Sequence, residues 1–172
     1  MWLLSEYRKN VLLRSSLPDF WIFETHTIAI MEIRFRFAEQ ADTAALLPLM
    51  KDFYAFERLQ YDADRLRQLL SQLIGSPDLG RLILFEEFGK LAGYMVLGFG
   101  FSLEFHGRDC FIDEFYVVPE YRSRGIGQSA VDFAAGVCRS AGIKAVHLEA
   151  DHINVRGLGF KDHPRHLMTL WL

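Results

Sequence analysis

Over Phe111–Gly127 (FIDEFYVVPEYRSRGIG) two adjacent acids run into a stretch of arginines and glycines, and those residue types in that order can do two kinds of chemistry. Asp113 and Glu114 are proton acceptors. Arg122 to Ser129 (RSRGIGQS) form a basic, glycine-punctuated stretch after Pro119 that opens a helix. Gly125 and Gly127 let the backbone approach a ligand without interference from Cβ. The free N–H groups of a helix's first turn then face anionic oxygens. Arg122 and Arg124 add guanidinium forks that pair with a pyrophosphate. The segment is therefore expected to hold a phosphorylated cofactor beside a proton acceptor.

Carboxylates suit an amine substrate. A lysine-like amine, with a reference pKa of about 10.4, is neutral in roughly one molecule per thousand or fewer at pH 7, a deficit of about 4–5 kcal/mol. A nearby carboxylate takes that proton directly or through water, and burial tunes both groups. On a regular strand Asp113 and Glu114 point to opposite faces, so one of them faces the cleft unless a β-bulge re-aims the pair.

A second ligand fits the glycines. Gly125, Gly127 and Ala130 also match the dinucleotide fingerprint G-x-G-x-x-G/A, with Glu149 ending a later strand. Against it, Pro119–Arg124 intervene where that fingerprint needs a tight turn directly off the strand. The chain beyond Glu149 is also short for a second mononucleotide half.

These groups need elements to position them. Glu32–Phe37 alternates Ile33, Phe35 and Phe37 with charged residues and predicts a half-buried strand. Asp42 or Thr43 is placed to cap a helix carrying Leu46, Leu49, Met50, Phe53 and Phe56; a second helix follows on Leu66, Leu69, Leu70 and Leu73, ended by Gly75 and Pro77. Arg81–Glu87 and Leu91–Phe101 predict a hairpin about Phe88, Gly89 and Lys90, and Cys110–Val118 the next strand. Ala130, Ala134, Val137, Cys138 and Ala141 make one apolar helix face that stops at Gly142. Lys144–Ala150 and Leu167–Leu172 are expected as further strands.

With the motif and its flanking elements in view, the chain resembles the GNAT superfamily of N-acetyltransferases. The signature R/Q-x-x-G-x-G/A is matched by Arg122, Gly125 and Gly127, and V-x-P-E-Y-R by Val117, Pro119, Glu120, Tyr121 and Arg122. The I-D-E-F-Y-V segment is similar to the diamine and thialysine acetyltransferase branch. The resemblance implies an α/β fold with a mixed, mostly antiparallel central sheet flanked by helices. It implies acetyl-CoA as co-substrate, a small primary amine as acceptor, no metal, and a homodimer. Arg122, Ser123, Arg124, Gly125, Ile126, Gly127, Gln128 and Ser129 would hold the pyrophosphate. Backbone groups of Phe115, Tyr116 and Val117 would pair with the pantetheine arm, and Asn154 would also meet the cofactor. Asp113 matches the branch's base by position, where a glutamate is usual, so a relayed water is expected; Glu114 is the alternative. Glu57 aligns with an acid that contacts cationic substrates, with Tyr61, Asp62 and Asp64 nearby; a solvated helix end is the other explanation for that cluster.

The chain departs from the family after Asn154. Only Val155, Arg156, Gly157 and Leu158 separate it from Gly159 and Phe160, so the stretch carrying the tyrosine that usually protonates the leaving thiolate is shortened. A non-catalytic acyl-CoA-binding module is the alternative this departure motivates.

Composition sets further limits. A length of 172 residues and a hydrophobic share of 51% suit one domain with its own core over 31–172, preceded by an extension over 1–30. A formal charge of −3 offers no broad attraction for nucleic acid. Cys110 and Cys138 sit in apolar contexts without CxxC spacing, which points to a reducing cytoplasm. His147, His152, His163 and His166 lack cysteines at ligand spacing and are expected as surface or loop residues. Leu91–Phe105 is too interrupted to span a bilayer, and no membrane partner is expected.

Overall fold

The computed structural model describes residues 33–149 and 159–160. The extension over 1–30, Asn154 and the strand expected at Leu167–Leu172 lie outside the described residues. No helix among the described residues is long and apolar enough to cross a membrane.

Five strands form one mixed sheet in the order β1-β2-β3-β4-β5. They are β1 (Ile33–Phe37), β2 (Gly80–Glu87), β3 (Lys90–Ser102), β4 (Gly107–Val117) and β5 (Ala145–Leu148). Neighbours are antiparallel except β4 and β5, which run parallel. Two helices, α1 (Thr43–Phe56) and α2 (Ala63–Gly75), follow β1, and α3 (Ile126–Ser140) connects β4 to β5. The mixed, mostly antiparallel sheet expected from the sequence is thus observed.

Helices cover both faces of the sheet. On one face Leu46, Met50, Leu66 and Leu70 of α1 and α2 pack on Leu82, Leu84, Tyr94, Val96 and Tyr116. On the other, Ile126, Ala130, Ala134 and Cys138 of α3 pack on Ile83, Phe85, Met95, Cys110 and Ile112. A central strand covered on both sides reads as a near-continuous apolar run, as Leu82–Phe85 does.

Local chemistry sets most of the boundaries. Phe88 and Gly89 both adopt left-handed φ, 49° and 76°, the geometry of a two-residue hairpin turn whose twist matches its strands. Asp62 caps α2 by accepting from the N–H groups of Asp64 and Arg65, both at 3.0 Å. Asp42 differs from expectation. It precedes α1 but gives that helix no side-chain cap; its carboxylate instead accepts from Arg36 at 2.7 Å and from the Glu39 N–H at 2.7 Å. A charged partner outcompetes the neutral amides of α1.

Two strand boundaries also shift. β4 begins at Gly107 rather than Cys110, because the β3–β4 ladder runs out to the pair Ser102 and Gly107. β5 is shorter than Lys144–Ala150, and its ladder with β4 covers only Asp109↔Ala145 to Ile112↔Leu148. β4 continues against β3 as far as Val117↔Gly93. From Asp113 onward β4 runs on along β3 with no strand partner on its β5 side among the described residues; this point, where the described ladders part, is the fork.

Candidate active site

At the fork β4 carries an irregularity that decides where its acids point. Val96 of β3 lies opposite Glu114 while Leu97 lies opposite Ile112, which leaves Asp113 as an extra residue in β4. Such a bulge breaks strict alternation. Consequently Asp113 and Glu114, expected on opposite faces, both line one cleft of about 570 Å³ on the α1–α2 side.

Glu114 is anchored there by two phenols. Tyr54 from α1 donates its hydroxyl to Glu114 Oε1 at 2.9 Å, and Tyr94 from β3 donates to Oε2 at 2.8 Å. Burial lifts the Glu114 carboxyl above the usual carboxylate range; the two hydroxyls pull the other way, and the charge of Asp113 adds to the rise. Burial, with the Glu114 charge second, also raises the proton affinity of both phenols, so they act as hydrogen-bond donors and keep their protons. The result is a carboxylate held by neutral donors, with more affinity for a proton than a solvated one. Asp113 is more exposed and stands beside it.

The glycine loop lies beyond the end of β4. A short 3-10 turn over Pro119–Tyr121 leads to Arg122, Ser123 and Arg124, and Gly125 precedes α3 with φ 78°. Among the described residues no side chain caps the start of α3, so the N–H groups of Ile126, Gly127 and Gln128 are the donors an anion would meet. A Cβ added at Gly125 meets nothing within 4 Å, so the intrinsic penalty for replacing that glycine is its left-handed backbone. Arg122 donates from Nε to the Val117 carbonyl at 2.8 Å and lies over the Tyr116 ring at 5.6 Å. Arg124 pairs with Glu87 and lies over the Tyr121 ring at 5.3 Å. Phe115, Tyr116 and Val117 occupy the forked part of β4, where Phe115 faces the α3 core and Tyr116 the α1–α2 core.

Other expected residues stand apart. Glu57 is exposed at the C-terminal end of α1 and does not line the cleft. Its neighbours have local partners: Asp62 caps α2, Asp64 pairs with Arg67, and the Tyr61 hydroxyl donates to the Leu47 carbonyl at 3.2 Å.

Sequence reasoning missed three residues that line the cleft, Tyr54, Asp109 and His147, and a fourth, Tyr94, buried behind it. Tyr54 and Tyr94 reach Glu114 from elements remote in sequence, with no local pattern to flag them. Asp109 and His147 also line the cleft, with His147 Nε2 at 3.7 Å from Asp109 Oδ2. His147, expected on the surface or in a loop, stands on β5 instead, in register with Phe111 of β4. Neither Asp109 Oδ1 nor His147 Nε2 has a hydrogen-bond partner among the described residues.

A fork in the described sheet, a glycine loop leading into a helix start with no side-chain cap among the described residues, and a partly buried carboxylate at the fork follow one another along β4 and into α3. The model of the acetyltransferase (GNAT) family matches residues 43–160. The chain belongs to this family. It is 24% identical to the thialysine N-epsilon-acetyltransferase of Mus musculus over 67% of this chain and 72% of that protein. An integron cassette protein from the mobile metagenome of Cole Harbour Salt Marsh is 32% identical, with a TM-score of 0.73 over 80% of this chain and 90% of that one. A predicted acetyltransferase from Clostridium acetobutylicum, solved with acetyl-CoA, shares the fold at 19% identity and a TM-score of 0.68, over 81% of this chain and 96% of that one. Membership of the GNAT family makes the chain an N-acetyltransferase with acetyl-CoA as its acetyl donor.

Proposed function

We propose that this GNAT protein transfers acetyl directly from acetyl-CoA to a primary amine bound in the α1–α2 cleft, the acceptor being a small amine, a polyamine or a lysine-like group. Glu114 carries this reading, because burial at the fork raises its proton affinity toward the range where it can relieve an ammonium of its proton. The acetyl-CoA arm adds to the open edge of β4 at Phe115, Tyr116 and Val117, and the pyrophosphate sits on the loop Arg122–Ser129 at the start of α3. A main-chain N–H on that edge polarises the thioester carbonyl.

In this scheme the acceptor enters as an ammonium drawn by Asp113 and Glu114. Glu114 takes its proton, directly or through one water, and the neutral nitrogen attacks the thioester carbon. The tetrahedral intermediate sheds its second nitrogen proton and collapses with loss of the thiolate, which takes up that proton through water; a thiol of pKa about 8.5 leaves without a strong acid. Tyr54 and Tyr94 keep Glu114 aimed into the cleft throughout.

The experiment is a screen of polyamines, lysine analogues and amino acids with acetyl-CoA, read by thiol release. Turnover with at least one amine, lost in Glu114→Gln while acetyl-CoA still binds, supports the reading. Binding of acetyl-CoA with no thiol release from any acceptor favours a non-catalytic acyl-CoA-binding module. The reading includes a homodimer, tested by light scattering, and a cytoplasmic location, consistent with the two free, buried thiols of Cys110 and Cys138.

A further inference from the structure

Glu87 ends β2, away from the acceptor cleft, yet it is a charged residue buried in the interior at 8% exposure. A carboxylate in such a place is costly unless paired. Its partner is Arg124, from the second arginine position of the glycine loop, with 27% of its own side chain exposed. The Arg124 guanidinium also lies over the Tyr121 ring at 5.3 Å. Interior ion pairs contribute little net stability once desolvation is counted; what they do supply is a fixed place for each partner.

The loop needs such fixing. Ser123 adopts φ 59° and Gly125 φ 78°, so two left-handed residues flank Arg124. Glycine takes that conformation readily, whereas for serine it is strained and persists only where the surroundings over-determine it. Arg122, tied to the Val117 carbonyl at 2.8 Å, and Arg124, tied to Glu87, supply one anchor on each side of Ser123.

We propose that Glu87 is a positioning residue for acetyl-CoA. Acting through Arg124, it pins the glycine loop so that the first N–H groups of α3 are aimed at the pyrophosphate before the cofactor arrives. Arg124 is thereby an anchor of the loop rather than a direct phosphate ligand, and the phosphates meet main-chain N–H groups and Arg122. This rests on the acetyl-CoA site proposed above and changes the part that Arg124 plays in it.

Calorimetry with acetyl-CoA on wild type, Glu87→Gln, Arg124→Ala and the double variant tests the idea, together with steady-state rates for acetyl-CoA and for acetyl-pantetheine, which lacks the pyrophosphate. Expected results are a tenfold or greater loss of acetyl-CoA affinity in either single variant and little further loss in the double, because both break one connection. KM for acetyl-CoA rises while kcat at saturation holds, and kcat/KM for acetyl-pantetheine stays at the wild-type value. Arg124→Lys keeps the charge but loses the fork and the planar stack on Tyr121, and it weakens acetyl-CoA nearly as much as alanine does. Wild-type affinity in Glu87→Gln, or additive losses in the double variant, overturns the proposal and returns Arg124 to direct phosphate contact. Equal damage with acetyl-CoA and acetyl-pantetheine overturns it in favour of a general structural role for Glu87. Wild type that ignores acetyl-CoA sinks the underlying site itself, a result distinct from both.

Discussion

On the α3 face of the sheet the groups placed for a ligand are main-chain amides at the start of one helix, with glycine supplying the backbone geometry. On the α1–α2 face they are side chains, a carboxylate on β4 held by hydroxyls from α1 and β3. The first arrangement is local, built from residues close together in sequence. The second is assembled across the fold, with Tyr54 separated from Glu114 by 60 positions and Tyr94 by 20. On the function proposed above, two regions of one sheet divide the work: the local one would hold the co-substrate, and the assembled one would take the acceptor.

That division predicts different failures on the two faces. Glu114→Gln gives the largest effect, a loss of about 100- to 10,000-fold in kcat with little change in acetyl-CoA affinity, read by thiol release and calorimetry. The same variant tests burial. Because the folded protein raises the Glu114 pKa, wild type carries no penalty below the unfolded value near 4.5, where both states hold the proton, and acquires one as pH rises above it. Melting temperatures should therefore favour Glu114→Gln over wild type increasingly as pH rises from about 4.5 through the folded-state pKa, and the advantage should level off above it. An advantage that is constant with pH would show that Glu114 ionises as easily folded as unfolded.

Next in size is Gly125→Val. A β-branched residue resists φ 78°, and its side chain projects into the space where the pyrophosphate would lie, so acetyl-CoA affinity should drop by about 100-fold or more. Acetyl-pantetheine turnover should be far less affected. Wild type that binds NADH and not acetyl-CoA in the same calorimetry would break the comparison altogether, making the loop a dinucleotide site.

Tyr94→Phe is a smaller change. It deletes one of the hydrogen bonds that lower the Glu114 pKa, so the acidic limb of the kcat/KM profile should move to higher pH, with acetyl-CoA affinity unaltered. A limb that moves to lower pH would mean that the phenol stabilises the protonated acid instead. The smallest effect belongs to truncation. Met31–Leu172 is a compact unit by itself, so a chain starting at Met31 should keep its melting temperature and acetyl-CoA affinity. Loss of cooperative unfolding would place residues of the extension in the core.

Much of this was legible in the sequence. Both helices after β1, the β2–β3 hairpin, the apolar face of α3 and the glycine loop follow from periodicity and turn chemistry, which act over a few residues. The loop's geometry agrees with the residues that flagged it, since Gly125 is left-handed. The acids were visible as a pair, but strand alternation separates them. Only a bulge, set by the register of β4 on β3, brings both into one cleft. Asp42 shows the same limit on a small scale: its type suits a cap, and its carboxylate goes to Arg36 because β1 carries that guanidinium within reach.

By itself, the sequence determined the family, the order of the described elements and the place of the glycine loop, because those depend on patterns between near neighbours. Tertiary structure decided which acid of the pair is the less exposed, which phenols hold it, that His147 faces Asp109 in the cleft, and that Arg124 answers to Glu87. The physical reason is that burial and partnership belong to pairs of residues distant along the chain. The pKa of Glu114 depends on the water that α1, β3 and β4 jointly exclude and on hydroxyls from two of those elements. No spacing within the β4 segment encodes either.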